Sequence, residues 1–141
     1  MDSETKREII MENYMHPMNR KRSNESEYKK TNTANSSCID NIDIYVKFKD
    51  DVIEDITFDG EACAISISAT SIMINNLIGK TKDDALKYIK EFYDMTDGKE
   101  YDAELLKEGI VYDDIYKQGN RKTCATLPFR GIEKAILESL K

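Results

Sequence analysis

Apolar residues recur at helical spacing in residues 4–15, at Ile9, Ile10, Tyr14 and Met15. Pro17 stops that helix, because the residue before a proline is pushed out of the α region. From Ile42 the period changes to two. Ile42, Ile44, Val46 and Phe48 alternate with Asp43, Tyr45 and Lys47, the pattern of a half-buried strand. Lys49-Asp50-Asp51 is a tight polar connection, and residues 52–58 give a second strand joined to the first as a hairpin. One face of the hairpin needs a cover, which helices must supply. A helix is predicted from just after Cys63 to about Leu77. Its small residues Ala64, Ser66, Ala69 and Ser71 permit close packing, and Gly79 follows its C-terminus. Thr81 then caps a helix with Asp83 and Asp84 in its first turn and an apolar stripe of Ala85, Leu86, Ile89, Phe92 and Tyr93. After a break at 95–100, Leu105, Leu106, Ile110, Val111, Ile115 and Tyr116 give a looser, acidic helical stretch that Gly119-Asn120 ends. Pro128 marks the first turn of a last helix striped by Phe129, Ile132, Ala135, Ile136 and Leu140.

Between the first helix and the hairpin, residues 19–37 carry almost nothing apolar and read as a flexible polar loop, with 28–33 as a possible edge strand. The chain of 141 residues suits one domain with one core. Its formal net charge of -6 argues against nucleic acid as a partner, since such domains tend to be basic. The longest apolar stretch is interrupted by Ser66, Ser68, Thr70, Ser71, Asn75 and Asn76, which argues against a membrane span. A charged N-terminus without an apolar core makes the cytoplasm the expected compartment. His16, the single histidine, reads as a surface residue at a helix end rather than a ligand.

The chemistry lies in three cysteines, Cys38, Cys63 and Cys124. An odd number in such a chain argues against a disulfide framework, which leaves metal binding, thiol chemistry or unrelated buried cysteines. Local context decides among these. Cys63 follows a strand and the turn Asp59-Gly60-Glu61 and opens a helix, where the positive end of the dipole favours thiolate. Cys124 reads as a second sulfur at or just before a helix start, with Arg121 and Lys122 adding positive charge that would lower its pKa. Cys38 lies among turn-forming residues, two positions before Asp40. A thiolate and a carboxylate are both acceptable to zinc. Taken alone, Asp40 also fits an Asx turn. Two cysteines at helix starts and one in a polar loop point to a three-thiolate site.

With these residues in view, the chain resembles the IscU/SufU/NifU-N family of iron–sulfur cluster assembly proteins, over nearly its whole length. Tyr14, Pro17 and Asn19 are similar to a Y-x-x-P-x-N helix end. Asn35, Cys38 and Asp40 resemble N-P-x-C-G-D. Phe58, Gly60, Cys63, Ile65 and Ser66 resemble F-x-G-x-x-C-x-I-S. Gly79-Lys80 is similar to the family's G-K, and Arg121 with Cys124-Ala125 and Leu127 resembles R-x-K-C-A-x-L. The IscU branch has His directly before its third Cys. Here Thr123 stands there, and a long acidic insertion at about 97–119 separates Cys63 from Cys124, which resembles the SufU branch. Ile39 replaces the family's Gly, Ser36 its Pro and Thr123 its Lys. A β-branched residue resists positive φ, so Ile39 bears directly on how the loop presents Asp40.

The resemblance implies an α+β fold: a small antiparallel sheet of about three strands with helices packed on one face. It implies a metal site of Cys38, Asp40, Cys63 and Cys124, holding zinc or alternatively an iron–sulfur cluster. It implies that Cys38 accepts sulfur from the persulfide of a cysteine desulfurase, and that the product passes to a downstream scaffold or apo-protein. The competing expectations are a scaffold on which a [2Fe–2S] cluster is built and transferred, and a zinc-stabilised domain without transfer activity. Arg121 and Lys122 are expected to support the site.

Overall fold

A computed structural model describes residues 1–36 and 38–141 and shows helix α1 (Ser3–Met15), strands β1 (Lys29–Ala34), β2 (Asn41–Lys49) and β3 (Val52–Glu61), and helices α2 (Ala64–Leu77), α3 (Lys82–Thr96), α4 (Ala103–Leu106) and α5 (Gly119–Ser139). Two short 3-10 turns, Lys107–Tyr112 and Ile115–Lys117, lie between α4 and α5. The strands form one antiparallel sheet in the order β1-β2-β3. The expected α+β architecture is therefore present, and the edge strand is too.

β1 carries only polar side chains and Ala34, yet it alternates. Thr31 and Thr33 face inward and are buried, while Lys30 and Asn32 stay in solvent. Threonine methyls do there what valines would do elsewhere. In β2 and β3, Ile42, Ile44, Val46, Ile53, Ile56 and Phe58 point to the covered face and are almost wholly buried. α5 lies against β1 and β2, α2 against β3 and α5, and α1 against α2. α2 is thus enclosed, with ten of its residues buried between Ser66 and Leu77. Its hydroxyls all have partners: Ser68 with Tyr112 Oη at 2.6 Å, Thr70 with the Ser66 carbonyl at 2.7 Å, and Ser71 with Asn13 Oδ1 at 2.7 Å.

Over the second face of the sheet, residues 23–28 reach side chains of β3. Ser23 pairs with Thr57 at 2.7 Å, and Tyr28 Oη donates to Asp55 at 2.5 Å. The polar composition of this stretch thus serves hydrogen bonds to β3, and its C-terminal continuation is β1 rather than loop. The acidic insertion packs against the helices. Tyr112 is fully enclosed, and Asp113 accepts a 2.7 Å hydrogen bond from Lys6 of α1.

The end of the chain corrects two expectations. Gly119-Asn120 opens α5 instead of closing the stretch before it, and Pro128 lies in the middle of α5 instead of in its first turn. Cys124 is consequently inside the helix, with a turn of α5 ahead of it. At the starts of α1 and α3 the residue before the helix supplies a side-chain cap. Asp2 Oδ1 accepts the Thr5 amide and Thr81 Oγ1 accepts the Asp84 amide.

Candidate functional site

At one end of the sheet the β1–β2 turn, the start of α2 and the second turn of α5 converge. Asp40 stands at the meeting point. Its side chain is nearly fully buried, with 1% exposure. Oδ1 accepts the Cys63 amide at 2.7 Å and lies 3.6 Å from the Cys38 thiol. Oδ2 accepts the Ser66 hydroxyl at 2.8 Å and lies 3.7 Å from the Cys63 thiol. Cys63 is the N-cap of α2 but makes no side-chain cap, so its sulfur turns to Asp40 Oδ2 and the Ser66 hydroxyl, 3.7 Å from each. The carboxylate of Asp40 does for the Cys63 amide what a glutamate at the third helical position does in a capping box.

Sulfur of Cys38, an oxygen of Asp40 and sulfur of Cys124 lie within 4.8 Å of one another. Cys63 joins them through Asp40, and burial, with the hydrogen bond the Cys124 thiol donates to Asp40 and its hydrogen bond with Cys63, pushes that thiol strongly upward. That reverses the expectation of a lowered Cys124 pKa. The cause is position: inside α5 the sulfur is buried and faces a carboxylate, rather than sitting at an exposed helix start. Lys122 does not offset this, because its ammonium pairs with Asp97 at the end of α3. For Asp40, burial alone would raise the pKa, but the Cys63 amide, the Ser66 hydroxyl and the neighbouring thiols outweigh it and hold the carboxyl below its usual value.

The three cysteines line a pocket of about 630 Å³ walled by Ile10 and Met11 of α1, Ile65 of α2, and Arg121 of α5. Cys38 is exposed, Cys63 half-buried and Cys124 buried. Ile39 does not draw Asp40 away. Its own side chain turns outward with 69% exposure and it does not adopt positive φ. His16 is exposed at the end of α1, as its position suggested. Ser37, in the turn that carries Cys38, falls outside the described residues.

Sequence reading singled out all four converging donors but missed Ser66 as their partner. The signal was present, since Ser66 lies three residues after Cys63 and shares its helix face. Three thiols and one buried, hydrogen-bonded carboxylate suit a zinc ion, which takes sulfur and oxygen ligands in fours. The same donor set also suits an iron–sulfur cluster held mainly by thiolates. Among the described residues no helix is long and apolar enough to cross a membrane.

Comparison with known proteins agrees with this geometry. The family described as the NifU-like N-terminal domain matches residues 5–125. The zinc-dependent sulfurtransferase SufU of Bacillus subtilis is 36% identical over 131 residues, covering 92% of this chain and 88% of that one. The iron–sulfur cluster assembly scaffold protein IscU of Streptococcus pyogenes is 38% identical over 106 residues, 74% of this chain and 67% of its own. Among solved structures, a SufU from Fervidobacterium islandicum AW-1, named as a scaffold candidate for the SUF system, superposes with a TM-score of 0.87 at 35% identity, covering 92% and 94% of the two chains. The N-terminal part of a NifU-like protein from Brucella abortus shares the fold, with a TM-score of 0.82 at 19% identity.

Proposed function

Because the chain belongs to the NifU-like N-terminal domain family of iron–sulfur cluster assembly proteins, we propose that it is a zinc-dependent sulfur acceptor of the SufU kind, charged by a cysteine desulfurase through Cys38. The observation that carries the reading is the division among the thiols. Three converge on Asp40, and Cys38 alone is exposed, on a turn at the pocket. The relative named as a zinc-dependent sulfurtransferase spans nearly the whole chain, which supports the same choice.

Cys38, Asp40, Cys63 and Cys124 would hold the metal. Bound zinc supplies a redox-silent charge that keeps thiols deprotonated. Cys38, as thiolate, attacks the outer sulfur of the desulfurase persulfide. A sulfur–sulfur bond forms at Cys38 Sγ, the bond to the desulfurase cysteine breaks, and that cysteine leaves as thiolate. One persulfide replaces another, so no external oxidant or reductant is consumed. Asp40 stays fixed by the Cys63 amide and the Ser66 hydroxyl while Cys38 exchanges partners. Arg121, exposed at the pocket rim, is placed to meet an anionic group of the donor. The sulfur then passes to a downstream scaffold or apo-protein.

The test is persulfide transfer from a desulfurase, followed by mass spectrometry. Wild type should gain one sulfur atom on Cys38, and Cys38→Ser should lose transfer entirely while retaining its circular dichroism spectrum. Undiminished transfer to Cys38→Ser would sink the acceptor role. Iron and labile sulfide in equal amounts after anaerobic purification, instead of one zinc per chain, would favour the scaffold activity for which the Streptococcus pyogenes relative is named.

A further inference from the structure

The hydroxyl of Ser66 stands between two acceptors. Its oxygen lies 2.8 Å from Asp40 Oδ2 and 2.9 Å from the main-chain oxygen of Cys124, and the residue is fully buried. A hydroxyl has one proton to donate, so the two acceptors share it in a three-centre bond. The two acceptors come from elements far apart in the chain, the β1–β2 turn and the second turn of α5. Each needs a donor for a different reason.

Inside a helix, the Cys124 carbonyl would accept from the amide of residue 128. That residue is proline, which has no N–H. A buried carbonyl without a donor is costly, and Ser66 fills the vacancy from the neighbouring helix. Asp40 has its Oδ1 served by the Cys63 amide, while at Oδ2 the Ser66 hydroxyl at 2.8 Å is the short donor, beside the Cys63 thiol at 3.7 Å. Pro128 therefore does more than interrupt the hydrogen-bond ladder of α5. It makes the turn that carries Cys124 depend on the same hydroxyl that orients Asp40.

We propose that Ser66 is the positioning residue of this centre, and that Pro128 couples α5 to it: one hydroxyl sets the orientation of the Asp40 carboxylate and the seating of the Cys124 turn together. The inference rests on the zinc reading for its metal readout, but the two hydrogen bonds can be tested without metal. Groups that orient a ligand govern affinity although they never touch the ion.

The experiment uses the full chain as wild type, Ser66→Ala, Pro128→Ala and the double variant. Each is measured metal-free for its melting midpoint and reloaded for zinc affinity by chelator competition. Ser66→Ala should weaken zinc binding by about tenfold or more, and it should lower the metal-free midpoint. Alanine at 128 returns an N–H to the Cys124 carbonyl. In that background Ser66→Ala should lower the midpoint far less, while the loss of zinc affinity persists. A purely structural serine would move midpoint and affinity together in both backgrounds. Unchanged zinc affinity in Ser66→Ala, or an equal midpoint loss in both backgrounds, overturns the proposal. Should Pro128→Ala fail to fold, hydrogen exchange of the Cys63 amide in metal-free Ser66→Ala decides. Faster exchange follows if Asp40 has slackened, and an unchanged rate overturns the assignment. Wild type that binds no zinc would remove the zinc reading, and the midpoint and exchange results would still judge Ser66.

Discussion

Cys38 and Cys124 approach the same carboxylate from opposite settings. Cys38 sits on the turn between β1 and β2, exposed to solvent, with its amide bonded to the Asn35 carbonyl of the same turn. Cys124 sits in a long helix whose residues from Ala125 to Phe129 are all buried, and its own exposure is 8%. The acceptor role proposed for Cys38 calls for a thiol that can reach out, and the turn allows that. A thiol that must stay in place gains from a helix packed against the sheet. Burial also pushes the Cys124 thiol up, so the metal-free site does not carry three thiolates beside a carboxylate. A cation entering the site must therefore displace protons, which makes its binding depend on pH.

Sharpest among the ways to break this comparison is thiol labelling of the metal-free protein with a limiting amount of iodoacetamide. Cys38 should react first, with Cys124 modified only as fast as α5 opens, which peptide mapping by mass spectrometry resolves. Equal labelling of the two would show that the structural difference has no chemical consequence.

Next in size is Gly60→Ala. Gly60 has φ of 137°, and a Cβ there would stand 2.4 Å from the Asn41 carbonyl oxygen. The substitution strains the backbone and pushes apart the strand ends that carry Asp40 and Cys63. A loss of about 2 kcal/mol or more is expected in urea denaturation, at the upper part of the range for such strain. A variant as stable as wild type would mean that the two halves of the site are not held in register by this contact.

The smallest effect concerns the support of the Cys38 turn. Tyr28 leads into β1 and donates to Asp55, which together with burial raises its pKa to about 12 from 10.0. A raised folded-state pKa contributes stability that is complete below pH 10 and is lost as pH rises from 10 to about 12. Tyr28→Phe should flatten the alkaline fall in melting midpoint over that window. An identical fall in the variant would assign it to other tyrosines.

How much of this could be read from the sequence follows from where the signals are local. β2 announces itself by isoleucines and Val46 at period two, β3 by an apolar-rich run after the polar turn Lys49-Asp50-Asp51, and α2 and α3 by an enclosed small-residue run and a capped apolar stripe. β1 is harder to see because its inward residues are threonines, whose polar atoms hide their role as packing groups. α5 was misplaced for a comparable reason. Gly119, Asn120, Arg121 and Lys122 form an exposed or half-exposed first turn with no apolar period, and Gln118 offers no side-chain cap. Pro128 then resembled a helix start, the usual place for a proline without cost. The four donors were legible from their contexts, but their mutual distances were not. Nor was the pairing of Lys122 with Asp97, since nothing local links residues that far apart.

The segment that crosses from α1 to β1 also shuts the sheet off sideways. Asn19 gives its carbonyl to the Phe58 amide and its side-chain amide to the Ile56 carbonyl, and Arg20 reaches the Gly60 carbonyl. Further along, the backbone of Gly79 and Lys80 bonds both polar groups of Ile53. The outward main chain of β3 is thereby occupied at successive positions. An open strand there would invite a second copy to add on, edge to edge, and begin a fibre. Cleavage at the basic run from Arg20 to Arg22 would release that guard, so proteolytic nicking in this short polar stretch would turn a shielded strand edge into a template for aggregation.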